Sequence, residues 1–131
     1  HGFVHRFLRW FSFTPAYRLG LRYYSWLSHK RKYPLDYVFD YLPGDGVAFD
    51  YGVDYQECVS CKFLARENAL ELAPYLCTAD ILYSERWGWG LIRTRTLATG
   101  DAVCDFRFKK GGETRVKVDV PLEFSQAFSE D

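Results

Sequence analysis

The sequence predicts an α+β fold: an antiparallel sheet of two hairpins with two helices between them, preceded by N-terminal basic amphipathic helices. Three observations point there. Apolar residues recur at helical spacing along residues 3–27. Apolar and polar residues alternate along residues 47–56, as in a half-buried strand. Turn signals at Pro43-Gly44-Asp45-Gly46 and Ala98-Thr99-Gly100-Asp101 each separate two short runs of strand character. The chain has 131 residues, 48% hydrophobic and 19% aromatic, which suits one domain with a real core and excludes a disordered chain.

The elements follow in order. Phe3, Val4, Phe7, Leu8 and Phe11 share one helical face, with Arg6, Arg9 and Ser12 opposite. Thr14-Pro15 reads as an N-cap and a first-turn proline. The helix they open carries the stripe Ala16, Leu19, Tyr23, Trp26 and Leu27, and Pro34 lies beyond its end. A docked helix pair is the expectation, and contact with a membrane surface is the less favoured alternative. Strands are expected over residues 37–42 and 47–55, with Val47, Phe49, Tyr51, Val53 and Tyr55 on the apolar face. Residues 57–69 read as a helix with Cys58, Cys61 and Ala65 on one face. Pro74 fits the first turn of another helix reaching Trp87, where Cys77, Asp80 and Ser84 share a face, and Gly88 and Gly90 end it. Residues 91–97 and 102–109 form the second hairpin. In it Cys104, Phe106 and Phe108 point one way and Asp105 and Arg107 the other. A short strand over 114–120 and a loose polar tail complete the chain. The expected division is a helical arm at 1–33, a core at 34–120 and a tail at 121–131.

Formal net charge is zero but unevenly spread. Residues 1–32 hold seven of the 17 Lys and Arg and none of the 17 acids. Such an arm docks on an acidic body, or meets an anionic surface. Nucleic acid is not the expected partner; a small-molecule substrate is. The chain starts at His1 and contains no Met, which reads as processing or as part of a longer product. No apolar run reaches the ~20 residues of a membrane span. Residues 3–13 lack the uninterrupted core and cleavage site of a secretion signal. Four cysteines are too few for a disulfide scaffold, so a cytoplasmic setting with reduced thiols is expected.

The chemistry concentrates around Cys58, Cys61, Cys77 and Cys104, each close to an acid. A thiolate at a helix N-terminus is stabilised by free N–H groups, which favours Cys58 as a nucleophile, while the neighbouring Glu57 opposes it. A small buried residue is the plain alternative for each cysteine. Cys58-x-x-Cys61 fits a redox pair, a metal half-site or coincidence. A tetrahedral zinc site on all four is a weaker reading, because the spacing from Cys77 to Cys104 is not that of a zinc ribbon. No cofactor is therefore expected, with zinc as the minor alternative. The three histidines lie in the basic arm, away from this cluster. Asp80 sits one turn from Cys77, where a buried carboxylate needs a partner. Arg93, Arg95 and Arg107 are the candidates, either for that pairing or to anchor a substrate carboxylate.

Several segments together resemble a known family. They are Phe49-Asp50-Tyr51-Gly52-Val53-Asp54-Tyr55, Glu57-Cys58, Glu71-Leu72-Ala73-Pro74-Tyr75-Leu76-Cys77 with Asp80, Thr96-Leu97-Ala98-Thr99-Gly100-Asp101, and Cys104-Asp105-Phe106-Arg107-Phe108. In this order, over residues 37–110, the chain resembles the bacterial L-2-amino-thiazoline-4-carboxylic acid hydrolase-like family. Members are usually longer at the N-terminus, which implies a shortened chain here. The resemblance implies a hydrolase opening a small cyclic amidine or related C–N ring to an N-carbamoyl product. Under it, Cys58 or Cys77 is the nucleophile and Asp80 the acid/base or orienting group. Glu57, Cys104 and Asp105 line or brace the pocket, and Arg107 holds a substrate carboxylate. The Gly-Asp-x-x-Cys hairpin is also similar to that of 4-vinyl-reductase-type domains. That implies the alternative of a small-molecule- or zinc-binding module without turnover. The stretch Arg93-Thr94-Arg95-Thr96 lacks the Cys and Glu that would support zinc there.

Overall fold

The computed structural model describes residues 2–117. The expected tail at 121–131 and the end of the strand expected over 114–120 lie outside the described residues. Two helices come first, α1 (Gly2–Ser12) and α2 (Pro15–Ser28). Thr14 caps α2 as its sequence indicates, its side chain accepting a hydrogen bond from the Tyr17 N–H at 3.3 Å. Strands β1 (Val38–Pro43) and β2 (Tyr51–Glu57) form the first hairpin. Helix α3 (Val59–Arg66), a 3-10 turn at Leu70–Leu72, α4 (Ala73–Cys77) and α5 (Ala79–Trp87) follow. Strands β3 (Ile92–Arg93), β4 (Cys104–Phe108) and β5 (Arg115–Val116) complete one sheet of order β1-β2-β4-β3-β5. Its pairings are antiparallel except that β5 runs parallel to β3. This is the α+β class read from the sequence.

Four boundaries differ from expectation, each for a local reason. The strand expected over 91–97 keeps only Ile92–Arg93, because the Asp105 carboxylate takes the Thr94 and Arg95 N–H groups and Thr96 caps a 3-10 turn at Leu97–Thr99. The second strand starts at Tyr51 rather than Val47, because Asp45 Oδ1 accepts hydrogen bonds from the Val47 and Ala48 N–H groups at 2.8 Å each and folds that stretch into the turn. The helix expected over 57–69 is shorter: Glu57 stays in β2 and Cys58 becomes the N-cap of α3. The helix expected to run from Pro74 to Trp87 is broken at Thr78. There the hydroxyl donates to the Tyr75 carbonyl at 2.6 Å and the chain tightens into 3-10 bonding. Gly88 then ends α5 in the left-handed conformation at φ 64°, as glycine does readily.

The apolar stripes of the two N-terminal helices do not face the body. Leu19, Tyr23 and Trp26 are 66%, 57% and 57% exposed, and Phe3, Val4 and Phe7 also face outward. Helix α2 docks through another face because the edge of β1 needs hydrogen-bonding partners there. Ser25 Oγ donates to the Phe39 carbonyl at 3.0 Å and accepts from the Tyr41 N–H at 3.1 Å. Ser28 Oγ accepts from the Phe39 N–H at 3.1 Å. No helix among the described residues is long and apolar enough to cross a membrane.

Candidate active site

The register of the two central strands builds the site. Tyr51 pairs with Phe108, Val53 with Phe106 and Tyr55 with Cys104. Alternation puts all six on one face. The rings pack as cross-strand pairs, with centroids 4.9 Å apart for Tyr51–Phe108 and 5.1 Å for Tyr55–Phe106. Helix α2, the start of α3, and α4 with α5 rise around this face. They enclose a cavity of about 380 Å³, the size of a small-molecule site. Its walls are mainly aromatic. Cys58, Ser60, Cys77, Asp80 and Arg93 bring polar atoms to it, together with the tyrosines. Burial raises the hydroxyls of Tyr17, Tyr37, Tyr51 and Tyr55 above their ordinary value, so they are neutral donors.

Cys58 follows β2 and is the N-cap of α3, with no capping hydrogen bond from its side chain. The Cys61 thiol beside it has the largest effect on its thiol, and with the Ser60 and Cys61 N–H groups it outweighs burial and lowers that thiol to about 6. Cys61 moves the other way and keeps its proton, because the neighbouring Cys58 sulfur favours the protonated thiol and burial adds to that. Burial raises Cys77 and Cys104. Cys104 is buried, accepting from the Leu97 N–H at 3.2 Å and donating to Thr96 Oγ1 at 3.6 Å.

Asp80 is two residues past the Thr78 break, and its Oδ2 accepts from Arg93 Nη1 at 2.6 Å. Burial pushes the Asp80 carboxyl up by more than Arg93 draws it down. Arg93 is only 3% exposed. It also donates to the Cys77 carbonyl, and its guanidinium lies 5.6 Å from the Phe106 ring centroid. Its buried Nε has no acceptor among the described residues.

Four of the seven residues singled out in the sequence meet here: Cys58, Cys77, Asp80 and Cys104. Glu57, Asp105 and Arg107 do not line the cavity. The Glu57 carboxylate faces outward to Arg31 and Lys62, at 2.8 and 2.7 Å, which hold it below its ordinary value. Asp105 and Arg107 alternate with cavity residues on β4 and so project from the opposite face. Arg107 Nη1 donates to Asp54 Oδ1 at 2.8 Å on that opposite face, so the expected arm for a substrate carboxylate lies away from the cavity. Asp105 braces the hairpin, accepting from the Thr94 and Arg95 N–H groups at 2.8 and 2.6 Å. Burial raises its carboxyl, but these bonds win and leave it below the ordinary range. Arg93 takes the cationic place in the cavity. Tyr37 and Tyr55 also line it; Tyr37 carried no motif signal, while Tyr55 lay in a segment of the family resemblance and on the face that the alternation marked. Among the described residues no three His, Cys, Asp or Glu side chains gather as a metal site requires.

Sheet, helices and cavity together define an α+β protein with a thiol-bearing, small-molecule-sized pocket. A family model described as L-2-amino-thiazoline-4-carboxylic acid hydrolase matches residues 16–108, and the chain belongs to that family. The match takes in α2, which the motifs alone left outside it. No curated protein and no solved structure matches the chain.

Proposed function

We propose that the protein hydrolyses a small cyclic amidine carrying a carboxylate, such as 2-aminothiazoline-4-carboxylate, with Cys58 as nucleophile. The observation that carries this reading is the meeting of a helix-capping cysteine with the Asp80–Arg93 pair on the wall of one cavity. The Cys58 thiolate adds to the ring carbon between nitrogen and sulfur. The ring C–S bond breaks, and Asp80 delivers a proton to the departing sulfur. An isothiourea on Cys58 remains. Water, losing its proton to the Asp80 carboxylate, adds to that carbon and the Cys58 thiolate leaves. The sum is substrate plus water giving an N-carbamoyl product with a free thiol. Arg93 supplies the cation for the substrate carboxylate, replacing Arg107 in that role, and the neutral tyrosine hydroxyls donate to the ring heteroatoms.

The test is release of a new thiol from 2-aminothiazoline-4-carboxylate. Cys58→Ser should lower kcat/KM by at least about a hundredfold, while Arg107→Met, on the outer face, should turn over like the parent chain. A Cys58→Ser variant at full rate would remove the thiolate and leave Asp80-activated water. A parent chain that binds the compound without releasing thiol would make it a binding module.

A further inference from the structure

The cavity has two unlike ends. At one, Tyr55 faces Cys104 across β2 and β4, and Cys58 follows Tyr55 closely in the chain. The Arg93 guanidinium lies 5.6 Å from the Phe106 ring centroid and donates to Asp80 and to the Cys77 carbonyl. This half holds the thiols and the charges. At the other end, about 13 Å back along β2, Tyr51 stacks on Phe108 with centroids 4.9 Å apart. Phe108 lies 5.8 Å from Trp89, Trp89 4.8 Å from Trp87, and Trp87 5.2 Å from Tyr83. All of these rings line the cavity. Protein interiors leave few voids larger than a water, so a space of about 380 Å³ walled by rings is not ordinary core packing. Leu76 and Tyr83 line it and are exposed, which opens it to solvent on the side of α4 and α5. One five-membered ring with its carboxylate does not reach from end to end, and it leaves the aromatic surface wet.

We propose that this aromatic end is a subsite for an aryl group, and that the compounds the cavity takes are carboxylates with an aryl ring a short chain away. An aryl ring there meets Trp89 and Phe108 in the offset or edge-on contacts that rings prefer, at centroid separations of about 4.5–7 Å. It also removes from water the ring surface that a smaller ligand leaves exposed. The carboxylate rests on the hydrolase reading above, under which the substrate is a cyclic amidine bearing an aryl substituent. The aryl subsite itself does not rest on that reading.

Dissociation constants of butyrate and 4-phenylbutyrate for the full chain are measured by ligand-observed NMR titration. 4-Phenylbutyrate should bind at least about tenfold tighter, the effect of burying one phenyl ring. Trp89→Leu should lower that ratio about threefold by removing one ring contact. Trp87→Leu should act in the same direction, and it keeps the test alive should Trp89→Leu not fold. Trp26→Leu, on the exposed stripe of α2, should leave the ratio as it is. Taking the ratio of the two ligands within each variant cancels any general loosening of the fold. Equal constants for the two carboxylates in the parent chain would overturn the proposal. So would an aryl preference that survives both cavity variants or disappears with Trp26→Leu, which would place the ring on the outer surface. No amidine is present in this experiment, so absent aryl preference and absent ring opening are separate failures.

Discussion

The two faces of the sheet use the same ingredients for opposite ends. Each carries an arginine–aspartate pair, Arg93–Asp80 at 2.6 Å on the cavity side and Arg107–Asp54 at 2.8 Å on the other. On the cavity side the arginine side chain is 3% exposed and keeps an unused donor; on the outer side it is 23% exposed. The outer pair is a brace. Arg107 lies across Gly52, its partner in the register, where a β-carbon would stand 2.8 Å from the Arg107 Cδ. The inner pair instead holds a buried charge on the cavity wall that Cys58 also lines, where its field acts at low dielectric. Residue type does not separate the two pairs. Strand parity does, since neighbours on a strand look to opposite sides.

This contrast can be tested from its largest expected effect downward. The thiols come first. Cys58, lowered to about 6, reacts as thiolate, so its alkylation rate should rise with pH through about 6 and level off above. Cys77 and Cys104, raised by burial, should stay slow until above their ordinary 9.0. At neutral pH the difference should be on the order of a hundredfold, read by mass mapping of iodoacetamide adducts. Equal rates would erase the distinction between a helix-capped thiol and its buried neighbours. Next, Arg93→Met strands the Asp80 carboxylate and should cost about 3 kcal/mol in urea unfolding. Asp105→Ala removes the acceptor for the Thr94 and Arg95 N–H groups and should cost about 2 kcal/mol by the same measurement. Arg107→Met, on the more exposed pair, should cost about 1 kcal/mol. If Arg107→Met proved the costlier of the two arginine changes, the roles assigned to the two faces would be reversed.

Much of this was legible in the sequence. The cap at Thr14-Pro15, the first hairpin turn and the facing of Cys104, Phe106 and Phe108 follow from local chemistry that tertiary structure had no reason to override. The same alternation already placed Arg107 away from the cavity, and only its suitability for a carboxylate argued otherwise. Arg93 was one of three candidate partners for Asp80. The choice needed the Thr78 break, which a propensity reading does not see, because a hydroxyl competing for one carbonyl leaves no pattern in the apolar residues. The docking face of α2 was hidden for a similar reason. A helix was expected to bury its apolar stripe, but this one meets a strand edge, and an edge asks for hydroxyls before it asks for hydrocarbon.

Those serines have a bearing on how the molecule behaves in a crowd. An uncapped outer strand is a template on which a second chain can crystallise strand by strand, the first step toward a fibre. On β1 the outward-pointing groups of Phe39 and the N–H of Tyr41 are already spoken for by Ser25 and Ser28 of the same chain. Polymerisation along that side therefore has to peel α2 away before it can begin. Removing two small hydroxyls would turn a closed border into an open one.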